Sequence, residues 1–420
     1  MASTNSIPKK WDEYEYDIQI TIADDGKIFQ LKPVQIHQLI IEKDFDNQIL
    51  PIVVLKISKQ ESIDVDIDNT TEIIISIDCF IVEKDKNGEY TKKKNKRNVL
   101  RDIFCVIDPD VTPSGDKLKN VFQKDKKVKK GEITPEDLTN ISTYTLFRKS
   151  DLIASKYVFN AVLSKVSMQQ AIAVLLSNSG VTKVLMSNLD FVDTIDELLL
   201  MPMGLISQLK YLKNYYGWHK EDTVIFMDID CMYLIRMSGK CTAWRTGESK
   251  AITFYVNATQ SGDNFQGVMS KSGNDLYINV ASDYYVYEDR SGVDEQITGT
   301  NTMIINEHSA SISTVEGVKT NTISLSGTTN IKSSSGHNKY LENWVKCRNV
   351  EQSGVVAITC NNIDFSQLTP NKEYTLVSKR LKAVKQIQGV YRLTKTTTIF
   401  AKEGNQFVSK TALELRKTST

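Results

Sequence analysis

Histidine is scarce in this chain, and cysteines never stand close together. His37, His219, His308 and His337 are the only histidines among 420 residues. None is spaced as a metal ligand beside the six cysteines, Cys79, Cys105, Cys231, Cys241, Cys347 and Cys360, and no CxxC occurs. Zinc sites need such spacing, so the expectation is no metal and reduced, buried thiols in or beside strands. GxSxG, P-loop, HExxH and GxGxxG motifs are also missing. The reactions those motifs organise lose their sequence support. Apolar runs such as Leu198–Met203 and Ile73–Ile75 fall far short of the roughly 20 residues that span a bilayer. The amino terminus has no apolar segment of a secretory signal. Net charge is +1, so no global field drives the chain onto nucleic acid or an anionic membrane. A soluble chain made in the cytoplasm is expected.

What is present reads as globular, with 40% hydrophobic and 25% charged residues. The length suggests two to four domains. Residues 1–12 read as a loose arm. From Tyr14 to about Asp108 strand follows strand. Tyr16–Ile22 and Ile63–Asp68 alternate with period two, while Ile52–Ile57 and Ile73–Ile77 are more continuously apolar, as buried strands would be. Asp24-Asp25-Gly26 and Lys86-Asn87-Gly88 are hairpin turns. Two lysine-dense patches follow, Lys92–Arg97 and Lys117–Lys130. They suit a phosphate or an acidic neighbour, and equally a solvated hairpin tip and loop.

Residues 150–217 change to helical signals. Ser167 and Gln170 form a capping box, Ala171, Val174 and Leu175 give an apolar face, and Gly180 ends the helix. A second helix over about Leu205–Tyr216 places Leu205, Leu209, Leu212 and Tyr216 on one stripe, and Gly217 stands at its C-cap. Val224–Met227 and Tyr233–Ile235 then read as strands around an Asp-containing turn. Beyond Ile252 the composition shifts to Ser, Thr, Gly and Asn. Short strands are expected at Ile252–Val256, Leu276–Ala281, Tyr284–Tyr287, Met303–Ile305 and Thr322–Leu325, with loops such as 326–336. Gln388–Leu393 and Thr397–Ile399 read as a final strand pair before a polar tail.

Two acidic patterns are candidates for chemistry. Asp228-Ile229-Asp230 has the DxD spacing that can hold a divalent cation, but carboxylates capping amides in a turn explain it without a metal. Asp64, Asp66 and Asp68 share one face of a predicted strand and lack the glycine and distal glutamate of a calcium loop. Such a face could line a channel through which DNA slides. Catalytic, cofactor-binding and metal residues are therefore all expected to be none.

The order of these parts, with "YLKNYYGWHKEDTVIFMDIDCMYLI" inside the insert and "GVYRLTKTTTIFAKEGNQF" near the end, resembles the central baseplate hub proteins of contractile-tailed bacteriophages, and also the hub part of contractile injection system spikes. The likeness falls on Tyr211, Tyr215, Tyr216, Val224, Phe226, Asp228, Asp230, Tyr233 and Leu234. At motif level it is confined to about residues 205–245 and 372–410, and the long segment 257–340 departs from it. The resemblance implies a mainly β fold with an α+β insert: two tube-like antiparallel β-barrel or sandwich domains around a small helical domain. The expected divisions are an arm (1–12), a first tube-like domain (13–149), the insert (150–248), a second tube-like domain (249–408) and a polar tail (409–420). It further implies a homotrimeric virion protein that adapts a sixfold tail tube to a threefold spike. Its partners would be tail tube, central spike and baseplate wedge proteins, with genome DNA passing through the lumen without specific binding, no membrane insertion and no cofactor. A tail-tip adhesin binding cell-wall glycan through Trp218, Trp244 and Tyr284–Tyr287 is the alternative, and a wall-cleaving enzyme a weaker third.

Overall fold

A computed structural model of the chain describes residues 11–24, 26–58, 67–84, 90–108, 141–189, 194–216, 218–219, 223–229, 231–236, 248–256, 268–280, 285–287, 301–306, 309–314, 355–378, 389–404 and 406–418. Its first lobe begins with β1 (Glu13–Asp24), β2 (Lys27–Gln30), β3 (Ile36–Asp44), β4 (Ile52–Ser58), β5 (Glu72–Lys84), β6 (Tyr90–Asp108) and β7 (Ile141–Arg148). The period-two residues Tyr16, Ile18, Ile20 and Ile22 all point into one core, with Ile73, Ile75 and Ile77 of β5 paired beside them. Alternation therefore does what a one-sided strand requires.

An insert follows: α1 (Lys149–Lys156), β8 (Val158–Ser167), α2 (Met168–Ser179), β9 (Val184–Met186), β10 (Thr194–Gly204), α3 (Leu205–Tyr216), β11 (Thr223–Met227) and β12 (Met232–Arg236). The Ser167–Gln170 capping box forms: the Ser167 hydroxyl accepts the Gln170 N–H at 3.3 Å, and the Gln170 side chain accepts the Ser167 N–H at 2.9 Å. Gly180 caps α2 with φ +81°, a conformation a side chain would strain. Of the predicted stripe of α3, Leu205, Leu209 and Leu212 are buried, the last two at 0% exposure, and Tyr216 is half-buried. Gly217 lies outside the described residues.

The second lobe holds β13 (Ala251–Val256), β14 (Met269–Ser272), β15 (Asp275–Val280), β16 (Tyr285–Tyr287), β19 (Val355–Asn361) and β20 (Glu373–Ser378), with β17 (Asn301–Asn306) and β18 (Ser309–Thr314) as a separate hairpin. The chain then closes both lobes with β21 (Gly389–Glu403) and β22 (Gln406–Lys417).

These last two strands correct three expectations. The predicted final pair, 388–393 and 397–399, is one continuous strand, β21, which bends at a register shift between Leu393 and Lys395. The polar tail expected from 409 is instead β22, and its side chains Ser409, Thr411, Leu413 and Leu415 alternate inward. Its polar appearance comes from the outward half of that alternation, Lys410, Glu414 and Arg416. The first lobe is also not contiguous. Its strands run β21-β3-β4-β7-β6-β5-β1-β22, and β22 pairs back on β21, so eight strands close a ring. The β1–β22 seam is short, pairing Tyr16 with Phe407.

The hairpin β21–β22 serves the second lobe with its other half, β20 pairing with Tyr391 and β19 with Lys410–Arg416. Along its inward face the chemistry changes with position. Phe400 and Phe407 enter the first core, and Tyr391, Leu393, Leu413 and Leu415 enter the second. Between them lies a buried hydroxyl waist, where the Thr398 and Thr411 hydroxyls hydrogen-bond at 3.1 Å. The mainly β class with a helical insert is what the chain adopts. Its pairing is not antiparallel throughout, because β13 runs parallel to both β15 and β20. Parallel neighbours need crossover connections that single-strand periodicity does not reveal.

Candidate functional site

Three hydrophobic cores meet around the turn that joins β3 to β4. The Asp44 carboxylate accepts the N–H groups of Asp46 at 3.2 Å and Asn47 at 2.9 Å, which fixes the turn as Asx residues do. Phe45 leaves it to pack edge-on against Phe226 at 4.6 Å in the second-lobe core. Ile49 and Leu50 pack on the insert core, and the Met227 N–H donates to the Ile49 carbonyl at 2.7 Å.

The hairpin β11–β12 is a wall between two of these cores. Val224, Phe226, Tyr233 and Ile235 face the second lobe, whereas Ile225, Met227, Met232 and Leu234 face the insert helices. Continuous burial on both faces explains its unbroken apolar sequence. The insert therefore packs on the second lobe as well as on itself. β12 also pairs in parallel with the three-residue β9, which the sequence reading did not identify.

Ion pairs frame this junction. Lys43 on β3 holds Asp228 at 2.7 and 2.9 Å, with side chains only 6% and 1% exposed. Arg392 grips Asp46 with two bonds of 2.6 and 2.9 Å. Lys395 reaches Glu42 at 2.7 Å. Arg148, at the end of β7 where the first lobe passes into the insert, donates to the Asp228 carbonyl at 3.0 Å and pairs with Asp151 and with Asp102. Burial pushes the Asp151 carboxyl up to about 6, with the Arg148 guanidinium working against that rise. Burial alone would lower the Lys395 ammonium, but the bond to Glu42 raises it overall.

The acidic candidates are dispersed by this geometry. Asp228 caps the Ile229 N–H at 2.7 Å, as the turn reading required, but its carboxylate is also the buried partner of Lys43. A substitution there does more than remove a cap. Asp230 lies outside the described residues, as do Asp64 and Asp66. Asp68 is not on a strand: in a turn it accepts the Thr70 hydroxyl at 2.6 Å and the Thr70 N–H at 2.7 Å, which lower its carboxyl. Among the described residues no three His, Cys, Asp or Glu side chains converge as metal ligands. His37 is exposed and His219 is buried at 3%.

The other sequence candidates fare unevenly. Trp218 is 1% exposed, so it offers no ring face to a glycan, and Trp244 and Tyr284 lie outside the described residues. The first lysine patch is part of β6 rather than a hairpin tip: Lys96 pairs with Asp78 at 3.0 Å, and Arg97 pairs with Asp364. The second patch and the loop 326–336 lie outside the described residues, as do Cys241, Cys347, His308, His337, Lys86–Gly88 and Thr322–Leu325. Cys79, Cys231 and Cys360 are buried and unbridged, and Cys105 is half-buried.

Two clefts open at the junction. One, of about 390 Å³, lies between β6, α1, the C-terminus of α2 and the β11–β12 turn, with Arg148 and Asp151 in its wall. The other, of about 320 Å³, lies between the β3–β4 turn, α3, β11 and β22.

Comparison with known proteins gives a family and a fold. The family of the Bacteriophage PBS1 gene 109 protein matches residues 9–418. No curated protein matches the chain in sequence. Among solved structures, it is similar to the 43 kDa tail protein of prophage MuSo2 from Shewanella oneidensis. The TM-score is 0.51 at 10% identity, over 95% of this chain and 98% of that one. The tail protein from Neisseria meningitidis MC58 gives 0.49 at 9% identity, over 95% and 96%. The E. coli c3393 protein, a type VI secretion component with structural similarity to T4 tail proteins gp27 and gp5, gives 0.44 at 8%, over 95% and 77%. The resemblance to tail hub proteins drawn from the sequence thus meets a phage family and a tail-protein fold.

Proposed function

The chain belongs to the family of the Bacteriophage PBS1 gene 109 protein, and from that premise we propose that it is a structural hub of a phage tail baseplate. In this reading it forms a homotrimer that adapts a sixfold tail tube to a threefold central spike, with wedge proteins outside and genome DNA passing through the lumen. The carrying observation is the two-lobed β body, which matches a prophage tail protein along nearly the full length of both chains.

The shared hairpin supports the adaptor role. Two β lobes fastened by the same pair of strands keep a fixed relation to each other, which suits three chains presenting a pseudo-sixfold set of positions. We further propose that matched surfaces, and not a catalytic pocket, perform the work. The divisions 13–149, 150–248 and 249–408 serve as lobe, insert and lobe, with β21 and β22 common to both lobes. No observation favours the glycan-binding alternative.

The test is the assembly state. Light scattering and negative-stain images of the purified chain, alone and with tube and spike proteins, should give a threefold ring. A monomer in every such mixture would sink the reading.

A further inference from the structure

We infer that the cleft between β6, α1, the C-terminus of α2 and the β11–β12 turn is a docking site for a glutamine side chain carried by a neighbouring protein. Its wall holds two buried polar atoms that make no hydrogen bond, Asp151 Oδ2 and Arg148 Nε. The other polar atoms of both side chains are engaged. Arg148 pairs with Asp151 through Nη2 and Oδ1, reaches Asp102 through Nη1, and donates to the Asp228 carbonyl. Asp151 is 1% exposed, and a buried carboxylate oxygen left unbonded is costly. One acceptor and one donor therefore stand on adjoining groups in the wall of a cleft. A primary carboxamide carries the matching donor and acceptor on a single planar head.

The rest of the lining narrows the choice. Asp102, Asp151 and Asp228 are matched in number by Arg101, Arg148 and Lys183, so the lining carries no net charge with which to select an ion. Ala154, Val181, Met227, Ile229 and Met232 add aliphatic surface, which suits the methylenes of a glutamine stem. No aromatic ring stands among the described lining residues, so a sugar finds no face to stack on. Free glutamine brings an ammonium and a carboxylate whose burial this balanced wall does not offset. The carboxamide therefore arrives on a polypeptide. A volume of about 390 Å³ lies near the small end of ligand clefts, which fits one such side chain with its flanking backbone.

The inference rests on the hub reading only for the source of the side chain, and the two fail separately. Docking is measured on the isolated full chain, whereas the hub is judged by ring formation. The probes are acetyl-Ala-Gln-Ala-N-methylamide and its leucine counterpart, followed by the methyl NMR signals of Met227 and Met232. The measurement is made at about pH 8, where Asp151, raised to about 6, is ionised. The glutamine peptide should shift both signals and the leucine peptide neither. Asp151→Asn should weaken binding by at least about tenfold, the loss of one bond to a charged group. Thr182→Trp, at an exposed position of the wall, should abolish the shifts with an unaltered melting curve, and it carries the test if Asp151→Asn melts early. No shift with the glutamine peptide, equal shifts from both peptides, displacement by free glutamine at equal concentration, preference for N-acetylglucosamine, or full binding by Thr182→Trp would each overturn the assignment.

Discussion

The two β lobes draw on the same final hairpin yet finish differently. In the first lobe eight antiparallel strands return on themselves and leave no open end. In the second, among the described residues, the path runs out to β14 on one side and β16 on the other, and β13 lies parallel to its neighbours. One hairpin thus seals one lobe and only spans the other. Its residue pattern follows that division: aromatic where the closed ring needs bulk, hydroxyl at the waist, and mostly aliphatic in the second core. Closure belongs to the whole chain and not to a contiguous domain.

The harshest way to break this comparison is to end the chain at Glu403. That removes Phe407, Leu413 and Leu415, exposed by only 5%, 1% and 0%. We expect no soluble folded product, read by yield and by loss of near-ultraviolet circular dichroism. A surviving cooperative melt would mean that one lobe stands without the shared strand. Next come Phe400→Ala in the first core and Leu415→Ala in the second, each costing about 3–4 kcal/mol. Both should lower the same single calorimetric transition. Two transitions moving separately would show that the lobes unfold independently despite the hairpin.

The insert sharpens the contrast, because buried charges as well as apolar contacts tie it to the first lobe, whereas the β11–β12 face on the second lobe is apolar. Asp228→Asn leaves Lys43 buried without its counter-charge and should cost about 3 kcal/mol, measured by urea denaturation. Replacing Lys43→Met and Asp228→Leu together should restore most of it. If the single variant unfolds at the wild-type midpoint, the charged attachment contributes nothing.

Asp151 gives a pH signature with a definite sign. Its folded-state carboxyl is raised to about 6 from 3.8, so the folded chain holds a proton that the unfolded chain releases. The stability from this group is complete below about pH 4 and is lost as pH rises to about 6, a change of about 2–3 kcal/mol. Asp151→Asn should flatten that part of the stability profile; an unchanged slope would assign it to another group. The smallest effect is Ser167→Ala, about 1 kcal/mol from the lost cap, visible as faster amide exchange in the first turn of α2 and nowhere in the β lobes.

Local features were legible in the sequence where one residue pattern determines one geometry. The box at Ser167 and Gln170, the left-handed Gly180, the stripe of Leu205, Leu209 and Leu212, and the alternation from Tyr16 to Ile22 needed only short-range rules. The long-range choices were not legible. Nothing near Thr394 announces that β21 passes from one lobe to another, since the irregularity there is held by distant partners: the Phe45 N–H donates to the Thr394 carbonyl, and the Thr394 hydroxyl donates to the Glu414 carbonyl. Tail-like polarity at 409–417 concealed a strand half of which is buried. The ion pair of Lys43 and Asp228 joins residues 185 positions apart, beyond any motif.

The seam between Tyr16 and Phe407 also sets a timetable for synthesis. A ribosome emits β1 long before β22, so the first lobe stays unsealed until β22 has emerged. A prematurely terminated product lacks the strand that completes both lobes and has no finished surface to offer. Completion of both lobes thereby waits on the topology of the chain itself.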